Sequence, residues 1–93
     1  MELPVKYSEL HWSERKKVRE QYIKLQDRKC WFCNASLDSP PPEGIIKNPI
    51  DKSLYPVDFF THPVHLHHNH ETDLTKGAVH AYCNAVLWEY EGE

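Results

Sequence analysis

Two short motifs in this chain each place two metal-binding side chains three positions apart. Cys30 and Cys33 form the first pair, and His80 and Cys83 form the second. Such spacing lets two side chains converge on one ion, and three thiolates with one imidazole are a common ligand set for tetrahedral zinc. Taken alone, the cysteine pair could also be a redox pair. The two pairs together predict one structural zinc site.

A cluster of histidines precedes the second pair, and an asparagine follows it directly. The cluster contains His67, His68 and His70, and the asparagine is Asn84. An unperturbed histidine titrates near pH 6.5, so it can take a proton from water at neutral pH. A divalent ion can neutralise a departing oxygen while two or three protein ligands hold it. These residue types are therefore suited to the hydrolysis of a phosphodiester.

The elements that must position these residues can be read coarsely from the sequence. Ser13 is a plausible N-cap, and apolar residues at helical spacing indicate a basic N-terminal helix over residues 13–29. Prolines dominate residues 38–63 and predict a long loop or insertion, with short strands near residues 45–46 and 57–60. Residues 64–90 read as strand 64–70, turn 71–73, strand 74–79 and helix 84–90. The sequence thus predicts one small α+β domain over residues 1–93, with a ββα core.

Residues 67–84 resemble the HNH (ββα-metal, His-Me finger) endonucleases, in particular the recombination endonuclease VII branch. The resemblance rests on the run His-His-Asn-His at 67–70, Lys76-Gly77 after a short turn, and His-x-x-Cys-Asn at 80–84. In that branch an upstream Cys-x-x-Cys completes a structural zinc site, which here falls on Cys30 and Cys33. The match covers about half of the chain, and residues 1–12 and the proline-rich segment lie outside it.

The resemblance implies a role for each matching residue. His68 would be the general base, and His67 and Asn84 would bind a catalytic Mg²⁺, Mn²⁺ or other divalent ion. Zn²⁺ would be structural, held by the four ligands already named. The chain departs from the branch at His67, where aspartate is frequent, at Lys76, where arginine is usual, and at His80, where cysteine is usual. Losing a carboxylate at position 67 weakens the attraction for hard Mg²⁺ and favours borderline metals.

Several of these residues also have simpler interpretations. Adjacent strand residues face opposite ways, so His67 and His68 can serve one site only where the strand is irregular. His70 would orient a neighbour within the hairpin, and His65 could be drawn into the site. Asn84 could be a helix cap. The large apolar residues near the cysteine motifs are expected to pack as core around the zinc: Trp31, Phe32, Tyr82, Leu87 and Trp88.

The charge distribution decides which partners are plausible. The formal net charge is −3, but seven of the eleven basic residues lie between positions 15 and 29. A local phosphate-binding face is therefore possible, although a solvated helix face is the plainer interpretation. The expected DNA phosphate contacts are Arg15, Lys16, Arg19, Lys24 and Lys76.

The sequence therefore predicts a metal-dependent DNA endonuclease, an HNH phosphodiester hydrolase that nicks DNA or cuts both strands. The alternative is a non-catalytic zinc-binding module that contacts nucleic acid or protein. The expected partner is DNA, with a homodimer or a phage or restriction assembly as a further possibility. The three cysteines and the polar N-terminus predict a chain without secretory leader or membrane association. We expect a cytoplasmic protein, in the host cytoplasm if a phage encodes it.

Overall fold

The computed structural model describes residues 2–91 and contains three α-helices and one β-hairpin. The elements are α1 (Trp12–Leu25), α2 (Glu43–Ile46), β1 (Val64–His68), β2 (Thr75–His80) and α3 (Ala81–Glu91). Short 3-10 turns lie at Tyr7–Glu9, Lys52–Leu54 and Phe59–Thr61. The predicted α+β class and the order strand, strand, helix are confirmed at this level. No helix in residues 2–91 is long and apolar enough to cross a membrane.

Helix α1 begins and ends earlier than the sequence suggested. Its N-cap is His11 and not Ser13: the His11 ring accepts a hydrogen bond from the Ser13 backbone, and the Glu14 carboxylate accepts one from the His11 backbone. Together they form a capping box, which Ser13, already inside the helix, cannot provide. The helix stops at Leu25 because Asp27 and Arg28 adopt left-handed backbone, with φ of 55° and 60°.

Strands β1 and β2 pair antiparallel, from Val64 opposite His80 to His67 opposite Gly77. The register then shifts, because His68 lies opposite Thr75 and leaves Lys76 as an extra residue. This irregularity is a β-bulge, which re-aims the side chains beside it. β1 is shorter than predicted because Asn69 opens the connecting turn, and the Asn69 carboxamide accepts hydrogen bonds from the backbones of Glu71 and Thr72.

The N-terminal segment runs beside the turn end of the hairpin and pairs with residues at the start of β2. The Thr75 backbone donates to the Val5 carbonyl at 2.9 Å, and the Tyr7 backbone donates to the Asp73 carbonyl at 2.7 Å. The Asp73 carboxylate also accepts hydrogen bonds from the backbone and the hydroxyl of Ser8. Asp73, at the end of the predicted turn 71–73, has φ of 63°, a left-handed conformation that aspartate tolerates. These contacts fix Tyr7 beside the end of β1.

The core lies between α1, the hairpin and α3. Its members are apolar residues buried from all three elements and from the first cysteine motif, including Val18, Tyr22, Leu66, Val79 and Leu87. Tyr22 is satisfied inside this core, because its hydroxyl lies 2.9 Å from the Thr75 hydroxyl. Burying side chains of this size contributes about 1.5–3 kcal/mol each. The core therefore holds both strands of the hairpin against α1.

The proline-rich segment contains no strand in the described structure. The residues expected to form strands near 45–46 belong to α2, and those near 57–60 belong partly to the turn Phe59–Thr61. The segment packs on α3 through hydrogen bonds from tyrosine hydroxyls to backbone carbonyls. Tyr55 of the segment donates to the Ala85 carbonyl of α3. The hydroxyl of Tyr82 on α3 donates to the Asn48 carbonyl at 2.6 Å. Side-chain contacts to α3 therefore replace strand pairing.

Candidate metal centre and histidine cleft

The cysteine motif at residues 30–33 is a tight turn closed by its own backbone. The Cys30 backbone donates to the Ala35 carbonyl at 2.8 Å, and Asn34 donates to the Cys30 carbonyl at 2.9 Å. Asn34 takes left-handed backbone with φ of 64°, which asparagine tolerates better than most residues. The Cys33 backbone approaches the Cys30 sulfur at 3.5 Å. Both thiols consequently point to the same side of the turn.

The second pair meets the first where β2 passes into α3. His80 is the last residue of β2, and Cys83 lies in the first turn of α3. The ligand atoms of Cys30, Cys33, His80 and Cys83 all lie within 4.8 Å of one another. Bonds of about 2.3 Å to sulfur and 2.0 Å to nitrogen require such closeness. This Cys3His group could hold a structural metal such as zinc.

Hydrogen bonding at His80 favours the tautomer that a metal ligand needs. Its Nε2 lies 2.8 Å from the Ser36 carbonyl and 2.8 Å from the Ser39 carbonyl, so Nε2 carries the proton. The other nitrogen, Nδ1, then has a free lone pair and lies 3.4 Å from the Cys33 sulfur and 3.5 Å from the Cys83 sulfur. A backbone carbonyl that fixes the ring of a ligating histidine is a usual feature of zinc sites.

The three thiols influence one another strongly. The hydrogen bond from Cys83 lowers the pKa of Cys30 to about 4, and the same contact raises the pKa of Cys83. Burial raises the pKa of Cys33. Without a cation, burial and the neighbouring thiols therefore oppose ionisation of Cys33 and Cys83. A divalent ion removes that penalty, which is why thiol clusters of this kind bind metal and release protons together.

The side chain of Gln26 ties the cysteine turn to the hairpin. Its Oε1 accepts from the Ala78 backbone at 2.8 Å, and its Nε2 donates to the Ala78 carbonyl at 2.9 Å. The Trp31 backbone donates to the same carbonyl at 2.9 Å. The Gln26 amide therefore bonds both the N–H and the carbonyl of Ala78, as the backbone of a neighbouring strand would. Gly77 permits this approach, since a Cβ there would lie 2.6 Å from Gln26 Oε1 and 2.8 Å from the Trp31 ring.

The histidine cluster lines a cleft of about 420 Å³ bordered by α1, β1 and Asn84 of α3. Both His67 and His68 line this cleft although they are consecutive, and the bulge lies between them. Val64, His65 and Leu66 line it as well, so the cleft takes in residues from both faces of β1. His67 is almost completely buried, with 1% of its surface exposed, and packs beside Trp31. His68 is half-buried nearer the rim. The strand irregularity that a shared site requires is therefore present.

The side chain of Asn84 lies between His67 and His65. Its Oδ1 lies 3.3 Å from His67 Nδ1, and its Nδ2 lies 3.2 Å from His65 Nδ1. His65 Nε2 lies 2.8 Å from the Phe59 carbonyl and must donate to it, so His65 Nδ1 is the acceptor for the amide. This arrangement turns the Asn84 oxygen toward His67. Asn84 lies inside α3 and is not its cap.

His68 stacks on an aromatic ring that the sequence did not single out. The Tyr7 ring lies parallel to it, with centroids 4.0 Å apart, and the Arg15 guanidinium lies 4.3 Å from the Tyr7 centroid. The His70 ring is 4.6 Å from His68, and His70 itself is exposed. Burial lowers the pKa of His68, and the nearby His70 lowers it further. Both influences favour the neutral imidazole, which is the form that can accept a proton.

The basic residues predicted to contact phosphate are separated by the fold. Arg15 and Arg19 line the histidine cleft, together with Trp12 from the same side of α1. Lys16 and Lys24 are exposed on α1, and the described lining of the cleft contains neither. Lys76 lies on β2, with its amine 5.6 Å from the centre of the Trp31 ring. Two of the five predicted contacts thus face the cluster.

Sequence reasoning missed several residues that shape this site. Tyr7 lies in a segment without a motif, and Gln26 looks like any polar helix residue. Trp31 and Trp88 were expected in the core, yet 42% and 46% of their surfaces are exposed. The seven histidines and the aromatic residues spread along the chain indicated that ring contacts would form. They did not indicate which rings would meet. No protein-family model, curated protein or solved structure matches the chain.

Proposed function

We propose that this protein is a metal-dependent DNA endonuclease that hydrolyses phosphodiester bonds. One observation carries the proposal: a single cleft is lined by His68, by the His67 and Asn84 pair, and by two arginines of α1. Phosphodiester hydrolysis requires a base for water, ligands for a cation and positive charge for the phosphate. The cleft is lined by side chains of the types that these three requirements call for, and this supports the proposal.

Each side chain has a separate task in this reaction. His68 takes the proton from the attacking water, and Tyr7 holds its ring in place. His67 and Asn84 would hold the divalent ion through the imidazole nitrogen and the amide oxygen, and His65 keeps that oxygen directed toward His67. When bound, the ion supplies charge neutralisation at the departing oxygen. The imidazole donor suits a borderline ion such as Ni²⁺ or Zn²⁺ better than it suits Mg²⁺.

The arginines of α1 would bind the phosphate groups of the strand. Arg15 Nε is buried and has no hydrogen-bond partner among residues 2–91, so a phosphate oxygen entering the cleft would satisfy it. Arg19 lines the same cleft one helical turn further along. Such contacts hold the backbone without reading bases.

The structural ion belongs to the same proposal. We infer that zinc occupies the Cys3His group, because its four ligand atoms lie within 4.8 Å of one another. Cys83 and Asn84 are consecutive residues of α3, and His80 directly precedes that helix. Zinc at this place fixes the start of α3 against the cysteine turn. It thereby holds Asn84 at the distance from His67 that the cleft requires.

A plasmid-nicking assay across Mg²⁺, Mn²⁺, Ni²⁺ and Zn²⁺ tests the proposal. Wild type should convert supercoiled DNA to nicked or linear forms, and His68→Ala should lose at least about a hundredfold in rate. His62→Ala is the matched control, because His62 also lines the cleft but is exposed. Asn84→Ala should raise the metal concentration required for half-maximal cleavage, with a smaller effect on the maximal rate. Asn84→Asp should lower the Mg²⁺ concentration required, because it supplies a carboxylate.

The rival is a non-catalytic zinc module that binds nucleic acid or protein. The near-complete burial of His67 favours it, since buried histidines with hydrogen-bond partners often serve packing alone. Zinc-loaded wild type that binds DNA but leaves plasmid intact with every ion would support this module. A nuclease subunit that depends on partner proteins would be distinguished by cleavage that appears only when those proteins are added.

A further inference from the structure

A second, smaller pocket opens directly beside the histidine cleft. It has a volume of about 200 Å³ and is lined by Leu54, Tyr55, Phe59, His70, Asn84 and Trp88. Three of these residues, Phe59, His70 and Asn84, also line the cleft. The two spaces are therefore adjacent, and Asn84, the side chain proposed to hold the catalytic ion, borders both.

The walls of this pocket are aromatic and held in position. The Tyr55 hydroxyl donates to the Glu89 carboxylate at 2.9 Å, which fixes the ring against α3. The Phe59 ring lies 4.5 Å from Tyr55, and the Trp88 ring meets Tyr55 edge-on at 5.8 Å. Phe59 also packs edge-on against His65 at 4.4 Å. Phe59 thus supports both the pocket wall and His65, the histidine that orients Asn84.

The chemistry of the lining selects the ligand. None of the described lining residues is a lysine or arginine, so the pocket is unsuited to a phosphate. Its volume lies below the roughly 300 Å³ at which pockets for drug-sized ligands begin, so it fits one planar ring system. Trp88 and Leu54 leave 46% and 55% of their surfaces exposed at its mouth. Aromatic faces next to a phosphate-binding cleft are suited to a nucleobase.

We propose that this pocket receives one unpaired base of the DNA strand whose phosphate lies in the histidine cleft. The inference rests on the proposed function and specifies its substrate: single-stranded DNA, or DNA with unpaired nucleotides at the cutting position. A base inside a regular duplex is stacked and paired, and it cannot enter without being extruded. The Asn84 amide and the His70 ring lie at the junction, where the sugar of that nucleotide would pass.

The binding experiment uses zinc-loaded protein with no other divalent ion, so that binding is measured without cutting. The probe is a single-stranded oligonucleotide with one 2-aminopurine, whose fluorescence falls when it stacks on an aromatic ring. Wild type should quench this fluorescence and bind the single strand more tightly than the same strand in a duplex. Trp88→Leu should lose the quenching and about tenfold in single-strand affinity, whereas Trp88→Phe should keep most of both.

A second pair of variants protects the test against misfolding. Leu54→Glu places a negative charge at the pocket mouth and should weaken single-strand binding. Val57→Glu makes the same charge change at a fully exposed residue three positions away and should bind like wild type. Equal binding by these two variants, or unchanged quenching in a folded Trp88→Leu, would overturn the base pocket.

The outcomes also separate this inference from the nuclease itself. Plasmid or oligonucleotide cutting that depends on His68 but shows no 2-aminopurine quenching contradicts the pocket and leaves the nuclease standing. Quenching that depends on Trp88, without cutting in any divalent ion, contradicts the nuclease and leaves a base-binding pocket. A protein that binds only duplex DNA rules the pocket out.

Discussion

The rings of Tyr7 and His68 lie parallel, 4.0 Å between centroids and 6° between planes. This contact joins the N-terminal segment to the proposed general base. Tyr7 itself is fixed through its backbone hydrogen bond to Asp73 and through the Arg15 guanidinium on its ring. The N-terminal segment, which contains no recognisable motif, therefore fixes the position of the His68 ring.

Removal of this ring should impair catalysis more than binding. Tyr7→Ala frees the His68 ring, and we expect kcat to fall by about tenfold or more, with a smaller change in KM. Tyr7→Phe keeps the stacking face and should retain most of the activity. Steady-state kinetics on both variants provide the measurement. Equal rates for Tyr7→Ala and wild type would show that the stacking is incidental.

The pH profile of cleavage should follow the neutral form of His68. Burial and the neighbouring His70 lower the pKa of His68 from its ordinary value of 6.5. The rate should therefore rise with pH through a midpoint below 6.5 and be level by about pH 7. A cation held by His67 acts in the same direction. His70→Gln removes one lowering influence, so its midpoint should move up; a midpoint that stays fixed would argue against His68 as the base.

The same shift should make the fold less stable in acid. The folded state binds a proton at His68 and His65 less readily than the unfolded chain, because burial lowers both pKa values. Stability is therefore full above about pH 6.5 and falls as the pH drops through that value. Urea unfolding of zinc-loaded protein at several pH values measures this slope. A doubly substituted His65→Gln, His68→Gln chain should show a shallower slope.

Metal removal should unfold the protein. Zinc sites of this class contribute on the order of 10 kcal/mol, which is comparable to the whole stability of a small domain. A strong chelator should abolish the cooperative melting transition, and added zinc should restore it. Cys33→Ser should bind metal weakly and melt at a lower temperature. Elemental analysis that finds no tightly held metal in the purified wild type would disprove the site.

Arginine and lysine on α1 should differ in their effect on DNA affinity. Arg19 lines the cleft, whereas Lys24 lies about 140° away around the helix. Arg19→Glu should weaken binding and reduce the salt dependence of log K by about one unit or more. Lys24→Glu makes the same change of charge and should have a much smaller effect. Similar losses in both variants would mean that α1 attracts DNA only through its total charge.

Gly77 should tolerate no side chain. An added Cβ would approach Gln26 Oε1 at 2.6 Å and Trp31 Cβ at 2.9 Å, and Trp31 is held by its backbone bond to Ala78. We expect Gly77→Ala to cost about 1–3 kcal/mol of stability. Gly44→Ala is the control, because nothing lies within 4 Å of its Cβ and alanine favours the helix. Denaturant unfolding of both variants gives the comparison.

The fold could be predicted where chemistry demands a fixed spacing. The two ligand pairs predict that the cysteine turn meets the start of α3, and the four ligand atoms do converge there. The hairpin followed by a helix is likewise confirmed, although α3 begins at Ala81 and not at Asn84. His80 ends the strand and Ala81 begins the helix directly, so no turn residue marks the boundary.

The remaining parts depend on contacts between distant segments, which local patterns do not record. His11 caps α1 through its ring nitrogen, a role more often filled by serine, threonine, aspartate or asparagine. The stacking of Tyr7 on His68 joins residues 61 positions apart, and neither neighbouring sequence announces it. The prolines correctly predicted an interrupted segment, but not which aromatic rings would lie against α3.

Cys83 and Asn84 are consecutive, so the zinc group and the proposed catalytic group share one turn of backbone. In the proposed nuclease, cleavage would therefore depend on zinc, because an ion on Cys83 would fix the turn of α3 that carries Asn84. Oxidation of the thiols would prevent zinc binding and abolish the proposed activity in the same way. Zinc supply and cellular redox state would thus control the proposed cleavage without a separate inhibitor.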